Sequence, residues 1–269
     1  MNLGQIILLG ITQGLTEFFP VSSSAHLTLM QFWTGLQGND WAHYFLEFIN
    51  LGTLLALLIF FRHRLAAICR QIFVEHDYRF LCNIIISCVP VVLAGLFFAK
   101  SIEHSPFFSS LYTIAIAMGL VGALMLMVEK LPQKSPLSSE EKLDSKRALY
   151  IGLAQILALI PGVSRSGSTI IAGRLMGLKN LPAANYSFLV SIPIMLGVLL
   201  KNLVSSSDRQ FIIDNLGALA ISNLCAFIVG LAVIHIAFKI YARRDALKIF
   251  GWYRIVAASL ILIFLLIQI

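Results

Sequence analysis

The chain has 269 residues, of which 58% are hydrophobic and only 12% are charged. A soluble domain carries roughly 25% charged residues, so too little charge is present to coat a water-facing surface, and the composition points to the membrane. The net charge of +7 would suggest nucleic acid in a soluble protein; in a membrane protein it marks cytoplasmic loops, and no nucleic-acid partner is expected.

The first apolar run, Leu3 to Phe19, is not a signal peptide. Met1 to Gln5 carries no Lys or Arg, and Gln13 and Glu17 interrupt the run. It ends at Pro20-Val-Ser-Ser-Ser-Ala-His26, and the next apolar piece, Leu27 to Leu36, makes a helix of only about 15 Å. Helix, loop and helix therefore read as a re-entrant hairpin, which is tolerated at membrane depth where protein or a wet cavity surrounds the loop. Three spans follow, at Ala42–Phe61, Phe80–Ala99 and Ser109–Val128, and then a polar linker from Glu129 to Arg147. Ala148 to Ile160 is broken by Pro161-Gly-Val-Ser-Arg-Ser-Gly-Ser168 and followed by the short Thr169 to Leu178, giving a second hairpin. Three more spans close the chain: Ala183–Leu203, Phe211–Phe238 and Ile249–Ile269. The last is long enough to cross a hydrocarbon core of about 30 Å. Cys69, Cys82, Cys88 and Cys225 show no metal or redox spacing. The expected fold is an all-α integral membrane domain over residues 1–269, with about six transmembrane helices and two re-entrant hairpins.

The hairpins align with each other at a constant offset of 142 residues: Gly10, Gln13, Val21, Ser22, Ser24, Gly35 and Leu36 match Gly152, Gln155, Val163, Ser164, Ser166, Gly177 and Leu178, and Tyr44 matches Tyr186. This indicates a duplication, with one half at 1–128, the linker at 129–147 and the other half at 148–269. A hairpin returns to its starting side and three spans then cross, so the halves start on opposite sides and the repeat is inverted. The linker side gathers basic residues from Arg62 and Arg64 through Arg147 to Arg243 and Arg244, with Arg174 and Arg254 counted among them; the termini side has Lys100, Lys201 and Arg209. That bias puts the linker in the cytoplasm and both termini outside. The two loop tips then meet near the midplane, and the site is expected to open outward.

Arg165 lies between Ser164 and Ser166, flanked by Gly162 and Gly167, at a helix start. Helix N-termini and glycine-rich backbone bind anions, and an Arg fork suits phosphate oxygens. Arg is expensive inside a membrane, which weighs against an idle role. The first loop supplies Glu17, Ser22, Ser23, Ser24 and His26. Gln13 and Glu17 share a helix face. Ser23 and His26, three apart, make a workable nucleophile–base pair, though the same imidazole can simply donate to a carbonyl. Glu17 can hold a divalent cation that bridges to phosphate, or pair with Arg165 and no metal. Glu47 and Asn50 are further polar groups at membrane depth.

Gln13-Gly-Leu-Thr-Glu17-Phe-Phe-Pro-Val-Ser-Ser-Ser-Ala-His26 closely resembles the N-terminal motif of the bacterial undecaprenyl-diphosphatase family of the bacitracin-resistance type, and Pro161-Gly-Val-Ser-Arg-Ser-Gly-Ser-Thr169 is similar to its second signature. Ala184-Asn-Tyr-Ser-Phe-Leu189 and the segment from Phe45 to Gly52 also look like family sequence, so the resemblance spans essentially the whole chain. It implies a multi-pass enzyme of the bacterial inner membrane that hydrolyses a C55 polyprenyl diphosphate to the monophosphate, recycling the lipid carrier of cell-wall synthesis. It further implies a Mg²⁺ or Ca²⁺ requirement and homodimers. By motif position it implies catalytic roles for Glu17, Ser23, His26 and Arg165, and phosphate-contacting or supporting roles for Ser22, Ser24, Ser164, Ser166 and Thr169. Glu17 and Gln13 would be the metal-side residues, although Gln13 stands where many members have Glu and Ala25 where Gly is usual. In the expected reaction Ser23 attacks the terminal phosphorus and His26 takes the proton, or His26 activates water directly. Two rivals stand beside this reading: a polyprenyl-phosphate flippase, because inverted repeats with broken helices are also a transporter pattern, and a non-catalytic membrane scaffold, which leaves the buried Arg and carboxylate without a purpose.

Overall fold

The computed structural model describes residues 1–36, 45–103, 105–132 and 136–267, apart from the side chains of residues 99, 100, 103, 109 and 206–208. The described residues are almost entirely helical. In chain order they form α1 (Leu3–Thr16), α2 (Ser23–Trp33), α3 (Asn50–Phe60, with a helical turn upstream from Phe45), α4 (Arg62–Phe73), α5 (Arg79–Glu103), α6 (Leu111–Lys130), α7 (Ser145–Gln155), α8 (Arg165–Leu175), α9 (Asn180–Val204), α10 (Ser206–Asp214), α11 (Leu216–Tyr241) and α12 (Ala246–Ile267). Five of them are long and apolar enough to cross a membrane, and six spans result if the bent pair α3–α4 is one. The protein is a multi-pass, all-helical membrane protein.

Local chemistry sets the ends of these helices. Asn2 and Gln5 close a capping box on α1, each side chain accepting from the other's backbone N–H at 2.9 and 2.8 Å. Asp144 caps α7 by accepting from the Arg147 N–H at 2.8 Å. Ahead of α5, the half-buried Asp77 carboxyl has its pKa lowered to about 2 by hydrogen bonds from the Arg79 side chain and N–H. Pro90 and Pro193 interrupt the bond ladders inside α5 and α9.

Several expected boundaries need correction. The first span is helical over Phe45–Phe60 and then bends by 69° into α4, a helix of mixed basic and apolar residues; residues 42–44, and with them Tyr44, lie outside the described residues. The span expected at Phe211–Phe238 is broken at Asn215, so the crossing helix is α11, beginning at Leu216. Residues 268–269 of the last span also lie outside the described residues. Neither Arg174 nor Arg254 is a loop charge. Arg174 lies half-buried in the last turn of α8 and pairs with Glu129 at 3.7 Å, and Arg254 is fully buried inside α12.

The long helices carry their apolar residues outward as well as inward: Leu96 and Phe97 are each 75% exposed, as a lipid-facing surface requires. Inside, α1 packs on α11, α5 on α7, and α6 on α12. Two of these contacts rest on glycine. A Cβ added at Gly14 would lie 2.9 Å from the Ala226 carbonyl of α11, and one at Gly122 would lie 2.9 Å from that of Gly251 in α12, so side chains at these positions would push the helices apart. The linker is pinned beside α8, where the Leu137 N–H donates to the Gly177 carbonyl at 2.8 Å.

Candidate active site

Two loops, between α1 and α2 and between α7 and α8, are built alike. Ser22 and Ser164 stand at φ 72° and 77°, a left-handed conformation that costs a non-glycine residue about 1–3 kcal/mol. Each serine caps the helix it introduces. Ser22 Oγ accepts from the Ala25 N–H at 3.4 Å, and Ser164 Oγ accepts from the Gly167 N–H at 3.1 Å. The serine two places on sits 3.1 Å away in the first loop and 3.2 Å away in the second. α2 and α8 also end alike, on Gly35 and Gly177 at φ 70° and 98°. The N–H groups of Leu36 and Leu178 reach back to the carbonyls of Gln31 and Gly173 at 2.8 and 2.9 Å, a Schellman-type close. Ala25 lies in ordinary helix, so the turn before His26 places its left-handed residue at Ser22 and makes no demand for glycine at position 25.

The tips meet at Glu17. Arg165 Nη2 donates to Glu17 Oε1 at 2.6 Å across 148 residues of sequence. Ser23 Oγ donates to Glu17 Oε2 at 2.7 Å, and Gln13 Nε2 donates to the same oxygen at 3.1 Å. Gln13 is fully buried and also donates to Asn50 Oδ1 at 2.7 Å, while its own Oε1 has no partner. The second guanidinium nitrogen, Arg165 Nη1, is buried and likewise unpartnered. A cavity of about 230 Å³ opens beside this cluster. Glu17, Ser22, Ser23, Ser24, Ser164, Arg165 and Ser166 form its polar end, with Glu47 and Asn50 next to them; Leu51, Leu54, Ile194, Met195, Val198 and Leu199 make its walls apolar.

The other expected site residues are placed differently. Ser23 and His26 do not pair. His26 Nδ1 donates to the Ser22 carbonyl at 2.8 Å, and in the neutral ring Nε2 is then an acceptor, which accepts a hydrogen bond from the Tyr253 hydroxyl at 2.7 Å. Spacing allowed either arrangement; the carbonyl four residues back captures the ring. Thr169 does not line the cavity. It is 1% exposed, and its hydroxyl is shared between the Arg165 carbonyl at 2.9 Å and Ser187 Oγ at 2.6 Å. Gln13 stands behind Glu17 rather than in the cavity. Tyr253 and Arg254 were absent from the expected site. The one available signal was an Arg within an otherwise apolar span.

A carboxylate, a hydroxyl and a half-satisfied guanidinium, held on two converging loops within a multi-pass helical bundle, make up a membrane protein equipped to handle a phosphorylated lipid. The chain belongs to the family described as Bacitracin resistance protein BacA, whose profile matches residues 6–260. It is similar to the undecaprenyl-diphosphatase of Nitrosomonas europaea, at 38% identity over 93% of this chain and 89% of that protein. It is also similar to the undecaprenyl-diphosphatase of Flavobacterium psychrophilum, at 35% over 98% and 96%, and to undecaprenyl-diphosphatase 1 of Acinetobacter baylyi, at 34% over 96% and 93%.

Proposed function

We propose that this protein is an undecaprenyl-diphosphate phosphatase of the bacterial inner membrane, which releases phosphate from the diphosphate and returns the monophosphate carrier to cell-wall synthesis. The observation that carries the site assignment is the buried, unpartnered Nη1 of Arg165 beside the Ser23–Glu17 pair at the polar end of an apolar-walled cavity. The names borne by the relatives are those of a hydrolase and give the flippase reading no support.

In the mechanism, Arg165 and the N-terminal amides of α2 and α8 take the charge of the terminal phosphate. Ser23 Oγ attacks its phosphorus, Glu17 Oε2 receives the hydroxyl proton, and the bond to the bridging oxygen breaks as undecaprenyl phosphate departs. Water then cleaves the phosphoserine. His26, engaged at both nitrogens, orients the first loop. Ser22, Ser24, Ser164 and Ser166 lend hydroxyls to the non-reacting oxygens. The residues that would hold Mg²⁺ or Ca²⁺ present hard oxygens, those of Glu17 and Glu47 on the cavity and the orphaned Oε1 of Gln13 behind it, a donor chemistry that suits such an ion. Bound there, the ion would neutralise phosphate charge. The decisive assay is phosphate release from undecaprenyl diphosphate in detergent, with and without a chelator. Release by the wild type and its loss in a folded Arg165→Ala variant are expected; equal release by the two would remove the phosphate assignment.

The two loops are further proposed to be re-entrant tips of an inverted repeat. Matching left-handed serines, caps and glycine closes at one constant offset support this. So does helix pairing, since α1 with α11 and α7 with α5 are equivalent pairs under that offset. Both termini are placed outside and the linker in the cytoplasm; the loop-charge bias survives removal of Arg174 and Arg254 from it. Counting crossings puts Glu47–Leu54 and Ile194–Leu199 toward the termini side, so the cavity opens outward. In a cysteine-free background, a cysteine at Ser138 should react only from the cytoplasm and one at Ser105 only from outside. Protection of a Ser24→Cys variant solely by an impermeant reagent applied from the cytoplasm would contradict outward opening.

A further inference from the structure

We infer that Arg254 is a positioning residue for the phosphatase reaction: one guanidinium that sets both loop tips relative to each other and so fixes the Ser23–Glu17–Arg165 cluster. This rests on the function proposed above. Arg254 is 0% exposed within a crossing helix and, among the described residues, has no carboxylate in ion-pair reach. Its charge is met by backbone carbonyls alone. Nε donates to Met118 O at 3.1 Å, Nη1 to Pro20 O at 2.8 Å, and Nη2 to Gly162 O at 2.5 Å and Val163 O at 3.2 Å.

Only the Met118 contact joins α12 to its neighbouring helix. The other three belong to the two tips, just upstream of the strained serines Ser22 and Ser164. Left-handed serines need surroundings that hold them, and Arg254 grips the peptides that lead into both. The preceding residue helps with one tip. Tyr253 stacks on His26 with ring centroids 5.9 Å apart and planes 16° apart, donates to its Nε2, and so steadies the Ser22 carbonyl that His26 Nδ1 holds. α12 therefore reaches carbonyls of both loops, whose following residues, Ser23 and Arg165, open α2 and α8 and point into the cavity. A cation that merely glued α12 to α6 would have no reason to divide its donors between two loops 142 residues apart. Lysine keeps the charge but not the planar fork, and that difference gives the test.

Phosphate release from undecaprenyl diphosphate in detergent should show Arg254→Lys and Arg254→Met both losing about a hundredfold in kcat, as misplacement of a reacting group does, with KM kept within about threefold. An Arg254→Lys variant near wild type, or a loss confined to KM, would overturn the positioning role and leave a simple charge effect. Hydrogen exchange supplies a readout that needs no activity. In the unmodified protein, peptides covering 19–26 and 161–169 should open as one unit. Arg254→Lys should deprotect both together, and Tyr253→Phe only the first. Tips whose wild-type exchange differs by more than about tenfold would overturn the inference even if the Arg254 variants failed to fold. A wild-type protein that releases no phosphate would instead sink the functional reading, while the exchange experiment would still judge the brace.

Discussion

The two loop tips share a backbone and divide the chemistry. Both start a helix from a left-handed serine, cap it with that serine's hydroxyl, and close it on a left-handed glycine. At the residue after the serine, where each helix begins, one tip carries Ser23 and the other Arg165; only the first has an acidic residue, Glu17, ahead of it to meet both. In the proposed mechanism one fold of loop serves as nucleophile holder and as anion clamp, according to the side chain set at one position. The backbone supplies the amide cradle twice, and the side chains break the symmetry.

The largest effect should come from the clamp. Arg165→Ala is expected to lower kcat/KM for undecaprenyl diphosphate about a thousandfold, and Arg165→Lys, which keeps charge without a fork, by about tenfold to a hundredfold. Equal activity of the Lys variant and the wild type would show that the second tip contributes charge alone. Next comes the nucleophile side. Ser23→Ala and Glu17→Gln should each lower kcat by about a few hundredfold, and the double variant should be no worse than either, because a donor and its base act as one unit. Additive losses in that cycle would separate the two residues, and a phosphoserine trapped at another position would remove Ser23. A smaller effect is expected where the second tip faces away from the cavity. Thr169→Val leaves Ser187 short of a partner and should cost about 1–3 kcal/mol of stability in thermal unfolding, with KM unchanged; a raised KM would return Thr169 to the substrate. The smallest change belongs to the backbone itself. Ser22→Gly and Ser164→Gly relieve strain but lose a cap, and the two terms should leave stability within about 1 kcal/mol.

Hydropathy made the long helices legible, because an apolar run of twenty residues has few alternatives in water. It missed the bend after Phe60 and the break at Asn215, where short apolar stretches continue across a change of direction and periodicity says nothing. The meeting of Glu17 and Arg165 was accessible from the sequence, since a carboxylate and an Arg at membrane depth seek each other. The partner of Ser23 was not. Glu17 and His26 both lay within reach on spacing, and the choice was made by the Ser22 carbonyl, whose position depends on a left-handed torsion that composition does not reveal. A charge near a helix end reads from sequence as a loop charge, which misplaces Arg254; only packing shows that three of its four hydrogen bonds end on Pro20, Gly162 and Val163.

The pairing of α1 with α11, of α5 with α7 and of α6 with α12 also bears on how the molecule is assembled. Each partnership joins a helix made before the linker to one made after it. α1, with 14 residues, is about 21 Å long and too short to cross the hydrocarbon core unaided. Its glycine-lined face waits for α11, which emerges from the ribosome some two hundred residues later. Insertion into the bilayer and packing are thus separated in time, and the polar tip carrying Glu17 and Ser23 must be sheltered through most of synthesis. The Ser23–Glu17–Arg165 cluster is consequently among the last features to form, completed only when α12 delivers the guanidinium that both loops share.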